Sequence, residues 1–358
     1  LGSYTEPILF GTGEVFEGKG KGVSICSFED GRIEPVSGLS VRNPSFLCVD
    51  EHHRKIYCVN EMKEYLGCPG GGMTQLCYDD HFSLSVQGSW NTGGGDPCHI
   101  ALAPNGRFLA VANFAGGSLS VFPLDESGNV LGKERRLFQH TGSGAHPVRQ
   151  EGPHAHSCVF SQNEPLLYVP DLGTDRVVCY RCQGEQIAPD PDRDVPVPAG
   201  SGPRYGEFSG DGRHFYLIDE LSSQVMHFAH ENGRLVPRET VDTLPADYTG
   251  DNICSDLHLT PDGRLLYASN RGHDSLVCYR VENDGSLRFL HRQSCGGRTP
   301  RNFAIDPTGG YLLVGNQDSD CIAIFQIEPD GRLHPMGRME TGSPVCIRFF
   351  QSAYVSQE

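Results

Sequence analysis

Apolar and polar residues alternate along this chain in short runs, separated by clusters of Gly, Pro, Asn and Asp. Alternation with a period of two predicts half-buried β-strands, and the intervening clusters predict tight turns. One stretch shows the pattern in full. Gly152-Pro153-His154-Ala155-His156 leads into a turn, then into the apolar run Leu166-Leu167-Tyr168-Val169-Pro170-Asp171. A tight loop containing Asp175-Arg176 follows, and then the run Val177-Val178-Cys179-Tyr180. The reading is strand, turn, strand, loop, strand.

The same order recurs along the chain. Pro44 to Asn60, Pro97 to Asn113, Pro203 to Asp219, Cys254 to Asn270 and Pro300 to Asn316 all share an offset of 16, and the copy from Pro153 to Asp171 is two residues longer. Each copy continues into a third alternating strand, such as Ser118 to Phe122 or Ile322 to Phe325, and then into a more polar fourth. Repeats of about 45–55 residues with four short strands each are propeller blades. The last fragment, Pro344 to Phe350, supplies only a first strand, and the segments Leu1–Thr5 and Gly22–Phe28 supply what it lacks. The expected fold is therefore all-β. It is a seven-bladed propeller forming a single domain over residues 1–358, its ring closed by a blade shared between the two ends, because an open ring leaves unpaired strand edges.

A propeller places equivalent positions of successive blades on one circle around the axis, so the repeat serves as a ruler. The slot five residues before the end of each first strand holds Ser45, Cys98, His156, Arg204, Ser255 and Arg301. The position just after the second strand holds Glu61, Phe114, Leu172, Glu220, Arg271 and Gln317. Both slots lie on one rim. Opposite charges at one repeat position fit a site better than they fit packing, although inter-blade ion pairs are the plain alternative. His154 and His156, two apart in an extended segment, share a face. Counting back from the turn, rather than forward from Pro153, puts His156 in the slot and makes His154 its neighbour.

Such a rim supports acid-base chemistry on an anion. Arginines clamp phosphate or carboxylate, and a histidine moves a proton. No metal site is expected, because no third histidine or carboxylate falls in register with His154 and His156. The pair Cys179 and Cys182 points to opposite faces of its strand. No cofactor loop is expected either: Gly70–Gly72 and Gly93–Gly95 precede strands rather than helices.

Composition adds limits. A net charge of −16 disfavours nucleic acid and anionic membranes as partners. No window is apolar enough to span a bilayer, and no leader pattern precedes the fold. Most of the 14 cysteines lie inside apolar strands, where they act as small hydrophobes, so a reducing cytoplasm is the expected location. Oligomeric state is not readable from a closed ring.

The motifs Gly2-Ser3-Tyr4-Thr5, Asn43-Pro44-Ser45-Phe46, Pro153-His154-Ala155-His156, Gly202-Pro203-Arg204, Asp219-Glu220 and Ser269-Asn270-Arg271-Gly272-His273 resemble the seven-bladed-propeller lactonase family. That family includes the bacterial propeller-type 6-phosphogluconolactonase and the fungal 3-carboxy-cis,cis-muconate lactonizing enzyme. The resemblance spans essentially the whole chain. It implies a cleft at one end of the channel lined by His156, Arg204, Glu220 and Arg271, the four residues that the ruler had selected. Two departures are small: Phe114 stands where the family often has Tyr, and Asp219 where Asn is frequent.

The expected activity is that of a 6-phosphogluconolactonase-like lactone hydrolase of the pentose phosphate pathway, acting on a small anionic substrate. His156 or Glu220 serves as general base, and Arg271 or Arg204 stabilises the oxyanion. His154, Arg301 and Glu61 complete the substrate site with the remaining arginine. A cycloisomerase of the carboxymuconate type would use the same residues, and a non-catalytic binding scaffold is the alternative from another class.

Overall fold

The alternating runs fold as strands, and the turns between them follow their local chemistry. In the first hairpins Asn105, Asp211 and Asp262 each accept the backbone N–H two residues on, at 3.0, 3.0 and 3.1 Å. Gly106, Gly212 and Gly263 then take the positive φ that closes each turn. The structure, a computed structural model, describes residues 1–9, 15–184 and 186–350. The expected domain runs to residue 358, of which 351–358 lie outside the described residues.

Among the described residues seven antiparallel blade sheets form, and in six of them strand order follows the chain from the axis outwards. Numbered from the copy at Pro44, blade 1 consists of Leu47–Asp50, Lys55–Asn60, Gly72–Tyr78 and Leu84–Asn91. Blade 4 consists of Pro203–Phe208, His214–Asp219, Gln224–Glu231 and Arg234–Asp242, and blade 5 of Ile253–Leu259, Leu265–Arg271, Ser275–Val281 and Leu287–Ser294. The seventh blade joins Pro344–Cys346 to Gly2–Ser3, with Gly2 opposite Cys346, and continues through Val23–Glu29 to Arg32–Leu39.

Second strands such as Lys55–Asn60 and Phe108–Asn113 are buried at every position, whereas outer strands such as Leu333–Glu340 are largely exposed. The reason is that the core is divided among the interfaces. Tyr168 packs with Phe208 and Phe215 between blades 3 and 4, and Tyr267 with Phe303 and Leu312 between blades 5 and 6. Each fully buried side chain of this size contributes about 1.5–3 kcal/mol. A second-strand tyrosine also rivets each of several blades to the next. The hydroxyls of Tyr168, Tyr216 and Tyr267 donate to the carbonyls of Gly233, Gly285 and Gly331 at 3.0, 2.8 and 2.6 Å.

One expectation needs correction. In blade 3 the first strand is only Val159–Phe160, and His154 and His156 lie before it in extended chain held by a single bridge, Ala155 to Asp171. The two extra residues between Pro153 and Asp171 break the pairing there. The segment from Glu64 to Gly72 contains a small hairpin of Glu64–Tyr65 and Cys68–Pro69.

Candidate active site

Four of the six first-slot residues sit at β-bulges. Pairing of the first and second strands skips Cys98 in blade 2, Arg204 in blade 4 and Arg301 in blade 6, and it skips Ser255 and Asp256 in blade 5. A bulge leaves one residue unpaired and re-aims its side chain. Here the unpaired residues Cys98, Arg204 and Arg301 face a cleft of about 380 Å³ at one end of the axis, a volume suited to a small ligand. All seven residues expected at the site line this cleft: Glu61, His154, His156, Arg204, Glu220, Arg271 and Arg301. Leu172 and Ser255, which share the two slots, do not reach it.

Glu220 is the hub of the cleft. Its Oε2 accepts from Arg204 Nε at 2.9 Å and from Arg271 Nη2 at 2.7 Å, while Oε1 accepts from Arg149 Nη2. Burial disfavours the carboxylate, but the guanidiniums of Arg149, Arg271 and Arg204 outweigh it and hold the carboxyl well below its usual range. Three guanidiniums share one carboxylate, so the cluster keeps a positive charge. Arg271 also donates to the Cys254 carbonyl at 2.9 Å, and its Nε–H is buried without a protein partner. Burial and the neighbouring guanidiniums lower its pKa to about 9 against the pull of Glu220, which leaves it charged at neutral pH.

Arg149 was not legible in the repeat. It stands on the loop of residues 141–152 between blades 2 and 3. Gln150 anchors that loop through Nε2 to the Leu172 carbonyl at 2.8 Å and to Asp175 Oδ1 at 2.7 Å, and its Oε1 accepts the His146 N–H.

His156 lies beside this cluster, with Nδ1 3.7 Å from Cys98 Sγ. Burial pushes its imidazole well below the ordinary value; Arg204 and Arg301 push the same way and Glu220 opposes them. His156 is therefore neutral, and before a ligand binds it is a weaker base than a free imidazole. His154 stacks on the Phe114 ring at 4.5 Å, and its Nδ1 lies 2.9 Å from the Phe114 carbonyl, which fixes Nδ1 as the protonated nitrogen. The backbone at His154 is held by Asp171, whose Oδ1 accepts the N–H groups of His154, Gly173 and Thr174. A side chain at Gly173 would meet the Gly152 carbonyl at 1.9 Å, so glycine there is a condition for this packing.

On the far wall Glu61 accepts from the Tyr4 hydroxyl at 2.8 Å and lies 3.7 Å from Arg301, whose guanidinium sits over the Tyr4 ring. Asp96, Lys63 and Gln317 also line the cleft. Gln317 donates through Nε2 to Asp318 at 2.9 Å, which leaves Oε1 buried without a partner.

Residues 1–349 match the family described as lactonase, 7-bladed beta-propeller. The chain belongs to this lactonase family. Among family relatives, a 6-phosphogluconolactonase of Formosa agariphila is 34% identical over 80% of this chain and 83% of its own. The 6-phosphogluconolactonase of Bacillus subtilis is 28% identical over 80% and 82%. The solved structure of the periplasmic gluconolactonase of Pseudomonas aeruginosa is 36% identical over 98% of each chain, with a TM-score of 0.88. Lactone hydrolysis is the family chemistry that these relatives support for the chain.

Proposed function

We propose that the protein hydrolyses a phosphorylated aldonolactone, 6-phosphogluconolactone or a close analogue, and that His156 is the general base. The observation that carries this reading is the cluster in which Arg149, Arg204 and Arg271 share the Glu220 carboxylate beside a neutral imidazole. In it His156 takes a proton from water as the oxygen attacks the lactone carbonyl carbon. The unpartnered Nε–H of Arg271 offers a ready donor to the oxyanion, with Arg204 beside it. Glu220, locked as a carboxylate by three guanidiniums, is a poor base and serves as their organiser.

The surplus positive charge suits an anionic substrate. An anion bound near Arg204 and Arg301 would offset the charges that depress His156 and so raise its basicity when substrate is present. His154, Arg301, Glu61 and Gln317 line the same cleft, and in this reading they meet the phosphate and hydroxyls. All 14 cysteines are unpaired, in keeping with a reducing, cytoplasmic setting. No helix among the described residues is long and apolar enough to cross a membrane.

The test offers the purified protein 6-phosphogluconolactone, unphosphorylated gluconolactone and 3-carboxymuconate, with His156→Ala and Arg271→Ala alongside. Preference for the phosphorylated lactone, lost in both variants after subtraction of spontaneous hydrolysis, is the expected result. Equal turnover of gluconolactone removes the phosphate from the reading, and turnover of the muconate alone replaces hydrolysis by cycloisomerisation. Turnover of none, or turnover unchanged in both variants, overturns the site.

A further inference from the structure

Asp96 precedes the first strand of blade 2 and falls in neither slot of the repeat. Its backbone is tied on both sides. The N–H donates to the Met62 carbonyl at 2.9 Å, and its carbonyl accepts the Phe114 N–H at 2.9 Å. The residue adopts a left-handed φ of 49° and is 7% exposed, yet its side chain lines the cleft. Among the described residues no donor reaches its carboxyl group. The residue is more than nine-tenths buried, while its carboxyl has no protein partner and opens into the cleft, which calls for an explanation outside packing.

The charged groups nearest Asp96 are Glu61 and Lys63 on blade 1. On the blade 3 side, His154 stacks over Phe114 with Glu151 3.4 Å from its Nε2. Burial and then the Glu61 carboxylate raise the Asp96 pKa to about 7, and Lys63 opposes them. Around the ring, Asp96 at the junction of blades 1 and 2 faces Glu220 on blade 4 and Arg271 on blade 5 across the axis. The cleft thus has Arg149, Arg204 and Arg271 on one wall and, opposite it, a wall bearing the Asp96 carboxyl together with Glu61 and Arg301.

Opening a lactone needs proton movement at two oxygens. Water loses a proton as it attacks, and the ring oxygen must gain one as its bond to the carbonyl carbon breaks. With the carbonyl oxygen on the guanidinium wall, the ring oxygen leaves the same carbon in a different direction. Glu220 is ionised, and His156 enters the reaction neutral.

We propose that Asp96 is the general acid for ring opening, its carboxyl facing the ring oxygen across the cleft from Arg271. This rests on the hydrolase reading above. The water proton passes to His156, and the Asp96 proton passes to the ring oxygen as the carbon–oxygen bond breaks. The proton on His156 then restores Asp96 through solvent. The sum is lactone plus water giving the hydroxy acid.

Asp96→Asn keeps the size and polarity of the side chain but carries no transferable proton. Its kcat on 6-phosphogluconolactone, or on whichever aldonolactone the wild type prefers, is expected to fall about 10²-fold with little change in KM. The alkaline limb of the wild-type log kcat/KM profile, centred near pH 7, should disappear. Dihydrocoumarin, whose phenolate leaves without protonation, should be hydrolysed by variant and wild type within about threefold of each other. Wild-type kcat in the variant, survival of the alkaline limb, or equal losses on both lactones overturns the proposal. In those outcomes the wild type still turns over aldonolactone, so the hydrolase reading stands; a wild type inactive on every aldonolactone removes both.

Discussion

Arg149 donates to Glu220 across 71 residues of sequence, from a loop outside the blade repeat to the end of a blade 4 strand. The contact completes a buried cluster in which one carboxylate neutralises part of three guanidiniums. Removing the carboxylate charge leaves those guanidiniums facing one another. Glu220→Gln should therefore cost about 3–5 kcal/mol of stability in denaturant unfolding, because it breaks a buried ion cluster from one side. Lost activity with unchanged stability would instead return Glu220 to the role of base.

His156→Ala removes the proposed base without breaking an ion pair. kcat should fall by about 10²–10⁴-fold, with little change in the unfolding midpoint. Single-turnover and unfolding measurements on the same sample separate the two effects. A variant with full activity would exclude His156 from the chemistry.

Gln150 holds the loop that presents Arg149. Gln150→Leu removes the hydrogen bonds to the Leu172 carbonyl and Asp175 Oδ1. A loss of about 1–3 kcal/mol is expected from the acceptors left unpaired. With Arg149 no longer fixed, KM should rise more than kcat falls. Steady-state kinetics check this, and unchanged KM would show that the loop is held without Gln150.

Tyr267→Phe tests an interface far from the cleft. Deleting the hydroxyl leaves the Gly331 carbonyl without this donor, and about 1–3 kcal/mol of stability should be lost. kcat and KM should stay at wild-type values.

Asp219 occupies the strand-end position held by Asn60, Asn113, Asn270 and Asn316 in other blades. Those asparagines donate to neighbouring oxygens, as Asn270 Nδ2 does to the Thr243 carbonyl at 3.2 Å. Both Asp219 oxygens are buried without a partner, and burial, with Asp175 adding to it, raises its pKa well above the ordinary carboxyl value. The folded chain thus keeps a proton that the unfolded chain releases near pH 3.9. There is no penalty below that pH, and stability falls as pH rises from it towards the folded value. Asp219→Asn should remove this slope and stabilise the fold at neutral pH. A pH series of unfolding free energies checks both, and identical slopes in the two proteins would reject the assignment.

The sequence by itself determined the repeat, the closed seven-bladed ring and seven of the residues that line the cleft, from Glu61 to Arg301. A constant offset between strands fixes which positions share a circle, whatever the side chains do. Tertiary structure decided what that register cannot carry. The bulges at Cys98, Arg204 and Arg301 leave no trace in alternation, because a bulge changes pairing and not composition. Arg149 comes from the loop of residues 141–152, outside the strands of the repeat, and Asp96 from a turn outside both slots. Protonation was equally beyond reach of the pattern. Glu220, Asp219 and Asp96 are all carboxyls, yet three guanidiniums ionise the first, dry burial keeps the second protonated, and burial beside Glu61 holds the third near neutrality. The charge state of each is set by neighbours that the fold brings from distant parts of the chain.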